Sequence, residues 1–143
     1  MAIIIIGIVI AIFLFANTAS GQNFIGGIMG NLSPQQIAEY ASNAGFVGED
    51  LITAVAIAMA ESSGNPNAVG DLGITPGGSI GLWQINLRWH PEFTAEGLKD
   101  PQTNANAAFS VYTTAGDSFT PWSTYKTGAY VSHLPDAQNG VNV

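Results

Sequence analysis

The fold class this sequence predicts is α+β: a mostly helical domain with one small β-region and a cleft, preceded by an N-terminal apolar helix. Three observations predict it. Helix-start signals stand at Ser33, Gly48 and Asp100, a single short extended piece over residues 79–86 separates the second from the third, and residues 2–16 are apolar and free of charge. Helices divided by one small sheet region pack as an α+β arrangement. The 143 residues suffice for one domain and a compact core, but not comfortably for two.

Taken in order, the first element is the apolar run of about 15 residues, rich in isoleucine, against the roughly 20 of a full span. No charge follows it until Glu39, and Asn17, Thr18 and Ser20 can lie among headgroups, so a tilted or slightly thinned span is physically allowed. The reading favours a membrane anchor over residues 1–16. A cleaved signal and a buried core helix are the alternatives; a signal carries positive residues before its apolar core, whereas the first basic residue here is Arg88. Residues 17–32 hold Gly21, Gly26, Gly27 and Gly30 and read as a flexible tether.

The domain, residues 33–130, begins at Ser33-Pro34-Gln35-Gln36. A cap hydroxyl, a proline in the first helical position and a glutamine three residues on form a capping box, and the helix runs to about residue 43, before Gly45. Gly48-Glu49-Asp50 sets acids in the first turn of a second helix, where they suit the macrodipole. Leu51, Ile52, Val55, Ile57, Ala58 and Met59 make that helix apolar almost all round, which places it inside the domain. Residues 65–78, dense in Gly, Pro, Asn and Asp, form a long loop of the kind that is functional or mobile. Asp100-Pro101 caps a third helix ending near Thr114 and Gly116. Residues 120–130 make an aromatic-rich turn with one short helix, and residues 131–143, poor in core-forming side chains, are expected to trail over the surface as a tail.

Three basic against ten acidic residues give a net charge of −7, which disfavours nucleic acid and leaves a neutral or sugar-like ligand as the better partner. The absence of cysteine excludes disulfides, thiolate metal sites and cysteine nucleophiles. His90 and His133 lack the helical spacing of a metal pair, so neither a metal nor another cofactor is expected.

Glu61 is the only charged residue between Leu51 and Gly70, and it falls where the apolar helix gives way to Ser62-Ser63-Gly64-Asn65-Pro66. A carboxyl at the end of a buried helix has its charged form disfavoured and its pKa raised, as a general acid near neutral pH requires. The bland alternative is a partly exposed Glu before a helix stop. Downstream follow Gly81-Leu82-Trp83-Gln84-Ile85-Asn86, Asn104 with Ala107 and Ala108, and Trp122-Ser123-Thr124-Tyr125-Lys126-Thr127-Gly128. In this order and spacing, over roughly residues 33–130, the chain resembles the lysozyme-like superfamily of soluble-type lytic transglycosylases and goose-type lysozymes. It departs from the usual pattern at Glu61-Ser62-Ser63, where a glycine is expected third, at Trp83 in place of methionine, and at Thr124-Tyr125-Lys126-Thr127-Gly128 in place of Ala-Tyr-Asn-Ala-Gly.

The resemblance implies a peptidoglycan-cleaving enzyme with Glu61 as its catalytic residue. A transglycosylase would use Glu61 alone, first as acid and then as base, to split the MurNAc-GlcNAc linkage and close a 1,6-anhydro ring. A hydrolytic goose-type enzyme would add a second carboxylate, for which Asp71 is the candidate; its other reading is a turn residue. Asn86 falls where some goose-type enzymes carry another acid and cannot serve as a base. By resemblance Tyr125 would hold the Glu, while Ser62, Gln84 and Asn104 would bind sugar hydroxyls or acetamides; each has a structural alternative. Trp83 offers a face for sugar rings, and Trp89 and Trp122 read as core or lip residues. A third reading is a non-enzymatic membrane or virion structural protein. A small acidic lytic domain on an N-terminal anchor suits local opening of a cell wall, as in phage entry or an envelope-spanning secretion machine, with glycan strands and a membrane as partners.

Overall fold

The first helix, α1 (Pro34–Ala44), starts on the expected capping box: the Gln36 amide donates to Ser33 Oγ at 3.3 Å and the Ser33 amide to Gln36 Oε1 at 3.0 Å. It buries Ile37, Ala38, Tyr40 and Ala41 and stops at Gly45, where φ is 127° and a Cβ would fall 2.8 Å from the Phe109 ring. These features belong to a computed structural model that describes residues 30–142. The expected apolar helix and anchor over residues 1–16, and residues 17–29 of the expected tether, lie outside the described residues. Among the described residues, no helix is long and apolar enough to cross a membrane.

Helix α2 (Gly48–Ser62) has Glu49 and Asp50 in its first turn and buries Ile52, Ala54, Val55, Ala56, Ile57 and Ala58. Its alanines let neighbours approach closely, and α2 packs against α1 and both C-terminal helices. It ends on Ser63, in the left-handed region at φ 53°, and Gly64, whose carbonyl accepts from the Leu32 amide at 2.7 Å. Leu32 is 3% exposed, so the last residue assigned to the tether is part of the domain core.

Three two-residue strands, β1 (Val69–Gly70), β2 (Ser79–Ile80) and β3 (Ile85–Asn86), form an antiparallel sheet in the order β1-β2-β3. The register pairs Val69 with Ile80, Ser79 with Asn86 and Ile80 with Ile85. A four-residue helix, α3 (Ala95–Leu98), follows on a Thr94 cap and was not anticipated. Helix α4 (Pro101–Thr114) begins as expected, with Asp100 Oδ2 accepting from the Thr103 amide at 2.8 Å. Phe109 and Tyr112 of α4 join Phe46 and Phe119 in an aromatic cluster with ring centroids 4.7–5.9 Å apart. The fold is the expected mostly helical α+β class with a small sheet.

After α5 (Ser123–Thr127) the chain departs from the expected surface tail. Residues 129–133 form a 3-10 helix (Ala129–His133) and then α6 (Leu134–Val141), which packs on α1 and α2. Leu134 and Val141 pack against the core from the two ends of α6, and small residues let the helix come close between them. Ala137 is fully buried, and a Cβ on Gly140 would fall 2.7 Å from the Pro34 carbonyl carbon. Two aliphatic side chains and a close small-residue contact are enough to dock a helix where a tail was expected.

Candidate active site

Glu61 lies in the last turn of α2, half-buried, and lines a cleft of about 360 Å³ whose other walls come from the sheet, the loop after β3, α4 and the start of α5. Burial pushes its carboxyl above the ordinary value; the Thr124 hydroxyl, which donates to Oε1 at 2.9 Å, opposes that rise, and the negative charge of Asp71 adds to it. The acid is thus held at one oxygen by a neutral donor and faces a second carboxylate across polar space. Tyr125, expected to hold Glu61, is turned elsewhere: its ring lies tilted against Tyr130 and Phe119, with centroids 5.1 and 5.7 Å away. Successive residues of a helix point about 100° apart, so one turn can give position 124 to the acid and position 125 to the aromatic cluster.

Asp71 is exposed on the loop after β1, lines the same cleft and adopts a left-handed φ of 58°. Its Oδ2 accepts from Ser79 Oγ at 2.7 Å. The buried Ser79 hydroxyl in turn accepts from Asn86 Nδ2 at 3.0 Å, so its own proton is committed to Asp71. Asn86 also donates to Thr75 Oγ1 at 3.0 Å and accepts the Arg88 amide at 3.0 Å. The β2–β3 pairing that sets Ser79 opposite Asn86 is what assembles this chain. Asn86 therefore orients the carboxylate's partner and does not act as a base.

Gln84 lines the cleft from another left-handed position, φ 49°, and both hydrogens of its amide are used, on Ala68 O at 3.2 Å and Gly81 O at 3.1 Å. Its Oε1 lies against Gly70, where a Cβ would fall 2.5 Å from it, so the side chain ties the turn to β1. Non-glycine residues at positive φ are uncommon and concentrate at functional sites, and two of the four in the described residues are Asp71 and Gln84.

Three of the expected sugar-binding residues are placed otherwise. Trp83 has no solvent exposure; its indole donates to Ala54 O at 2.9 Å, and its carbonyl accepts from Trp122 Nε1 at 2.8 Å. It is the centre of the core and offers no face to a sugar, because the alanines of α2 leave an indole-sized space against the helix. Asn104 is equally buried and spends its amide on backbone groups: Oδ1 accepts from the Trp83 amide at 2.9 Å, and Nδ2 donates to Ile80 O at 2.8 Å and Leu98 O at 2.9 Å. Ser62 bonds back to Ala58 O at 2.9 Å within its own helix and is absent from the cleft wall. The indole that does line the cleft in the open is Trp89, with His90 beside it, while Trp122 contributes as a buried wall. Thr124 and Ser79 are the site residues sequence reasoning missed, while Trp89, read as a core or lip residue, stands at the lip.

Among the described residues, no group of three or more His, Asp or Glu side chains gathers where a metal ion could sit. His90 instead faces Glu92 at 3.3 Å.

A family model described as a lysozyme-like domain matches residues 38–124, a span that runs from α1 to Thr124 and contains every residue of the cleft wall. No curated protein and no solved structure matches the chain. With a match over more than half its length, around a half-buried glutamate at the end of a core helix, the chain belongs to the lysozyme-like domain family, whose activity class is peptidoglycan cleavage.

Proposed function

We propose that the domain is a lytic transglycosylase that cleaves the MurNAc-GlcNAc β-1,4 linkage of peptidoglycan with Glu61 as its single acid and base. The observation that carries this reading is Glu61 itself: half-buried, raised by burial, and bonded through one oxygen to Thr124 while lining the cleft. In the first half of the reaction Glu61 gives its proton to the leaving glycosidic oxygen as the bond to C1 breaks. In the second, the muramoyl 6-hydroxyl bonds to C1 and returns a proton to Glu61, so the acid is regenerated and no water is consumed. The Thr124 bond suits both halves, because Oε1 can accept it as a carbonyl or as a carboxylate oxygen. Segment 1–16 would anchor the enzyme to a membrane for local opening of the wall; partition of the full chain into the aqueous phase without detergent would remove that part of the proposal.

One observation favours a second reading. Asp71 shares the cleft and its charge acts on Glu61, so it could position a water for hydrolysis by a goose-type mechanism. Digestion of purified peptidoglycan with mass analysis of the products separates the two. The transglycosylase gives anhydro-muramoyl ends one water lighter than hydrolysis products, with only a modest rate change in Asp71→Asn. Free reducing ends and an inactive Asp71→Asn would establish the hydrolase. In either case Glu61→Gln should lose about 10²–10⁴ in rate with unchanged circular dichroism, and a fully active variant would remove Glu61 from the mechanism.

A further inference from the structure

Trp89 is 69% exposed, whereas the other two tryptophans of the chain, Trp83 and Trp122, are 0% and 6% exposed. The ring stands outside the core, at the rim of a polar cleft. It is nevertheless held. The Trp89 and His90 amides donate to Asn86 O at 3.2 and 3.0 Å, and the Arg88 amide donates to Asn86 Oδ1 at 3.0 Å, so one residue fixes the turn. The Arg88 guanidinium lies over the indole, 5.1 Å from its centroid, and occupies one of its two faces. What remains is a single open aromatic face on a fixed turn beside Gln84, Asn86 and His90.

That combination suits a flat ligand with apolar faces and polar edges. A pyranose ring presents axial C–H groups to an aromatic face and hydroxyls at its rim, where the neighbouring His90 imidazole could meet them. We propose that Trp89, backed by Arg88, is a sugar-stacking platform at the rim of the cleft and the main contributor of aromatic affinity for the glycan strand. The platform rests on the proposed function for its ligand class, not for its geometry. Because the turn is already fixed, little ordering accompanies binding, and the contribution falls on affinity more than on the chemical step.

The three tryptophans allow a direct test on the full chain. Iodide quenches an exposed indole and leaves buried ones, so the quenchable emission of the Glu61→Gln chain reports Trp89. Adding soluble glycan strands, from peptidoglycan stripped of its peptides, should blue-shift that emission and protect it from iodide in a saturable manner. In the active chain, Trp89→Ala should raise KM about tenfold, the order expected of one stacking contact of about 1.4 kcal/mol. It should move kcat less than KM and leave Tm unchanged, and Trp89→Phe should recover most of the affinity. If Trp89 stays fully quenchable while glycan is bound, or if Trp89→Ala leaves KM unchanged, the platform is refuted. Failure of glycan strands to bind either chain refutes it as well. Full activity in Glu61→Gln would refute the acid assignment alone, since the quenching assay does not depend on turnover.

Discussion

Asn104 separates a structural from a substrate-binding role with a measurable magnitude. Its side chain satisfies one buried amide and two buried carbonyls, joining α4 to the Gly81 turn and to the end of α3. Asn104→Ala strands the Trp83 N–H, which has no second acceptor, at about 1–3 kcal/mol, and weakens two carbonyls that each keep another lone pair, at about 1 kcal/mol apiece. The loss is therefore about 3–5 kcal/mol, a large share of the roughly 5–15 kcal/mol of an ordinary domain. For a domain of this size the midpoint should fall on the order of 10–20 °C. Asn104→Asp keeps the acceptor for Trp83 but turns both donor contacts into repulsions, so it should be severe at neutral pH and milder in acid, where a protonated carboxyl regains one donor. Thermal melts by circular dichroism give the stability, and steady-state kinetics at a temperature where the variant is folded give KM. A wild-type Tm with a raised KM in Asn104→Ala would refute the burial argument and return Asn104 to the sugar.

Thr124→Val removes the one interaction that lowers the Glu61 pKa, so the alkaline limb of kcat should move to higher pH, with Thr124→Ser restoring the original limb; a profile identical to wild type would show that the bond does not tune the acid. Tyr112 donates to Asp50 at 2.5 Å and its phenol is pushed up to about 12 by that bond, then by burial and by the charges of Asp50 and Asp117. A folded-state value raised above the ordinary one near 10 gives stability that is complete below about pH 10 and is lost as pH rises towards 12. Urea melts across that window should show the fall, and Tyr112→Phe should reduce it, leaving the share of Tyr40, whose phenol burial also pushes up to about 12, while costing about 1 kcal/mol at neutral pH, since Asp50 is exposed.

The helices were legible where their determinants are local. Ser33, Pro34 and Gln36 cap α1 through bonds spanning three residues, and Asp100 with Pro101 starts α4 in the same way, so sequence alone places both ends. Helix α6 was not legible. Its apolar face is only Leu134, Ala137 and Val141, too short a stripe to stand out among Pro135, Asn139 and Gly140, and the close fit of Gly140 on Pro34 becomes visible only when the partner surface exists. Within the site, Glu61 stood out as the lone charge between Leu51 and Gly70, but its neighbours were not legible: Thr124 and not Tyr125 meets its carboxyl, and Ser62, Trp83 and Asn104 are spent elsewhere. Trp83 and Trp89 could not be ranked by composition. One fills the space left by the α2 alanines and the other follows β3 into solvent, a difference fixed by tertiary packing. Asn104 did carry a signal, since a polar residue among Ala105, Ala107 and Ala108 sits on a face of small side chains and must satisfy itself on backbone.

The exchange of Tyr125 for Thr124 bears on the chemistry as well as on legibility. A residue that acts as acid and then as base within one turnover needs both protonation states within reach, which requires a pKa near the working pH and not merely a high one. Burial and the Asp71 charge raise Glu61, and a donor that stabilises the anion limits the rise. An alcohol performs this task differently from a phenol, because the more acidic phenol would bind the carboxylate more strongly and hold its pKa lower. With Tyr125 turned into the aromatic cluster and Thr124 on the acid, Glu61 keeps more of the elevation its burial supplies. That balance supports a single glutamate serving both halves of the proposed reaction.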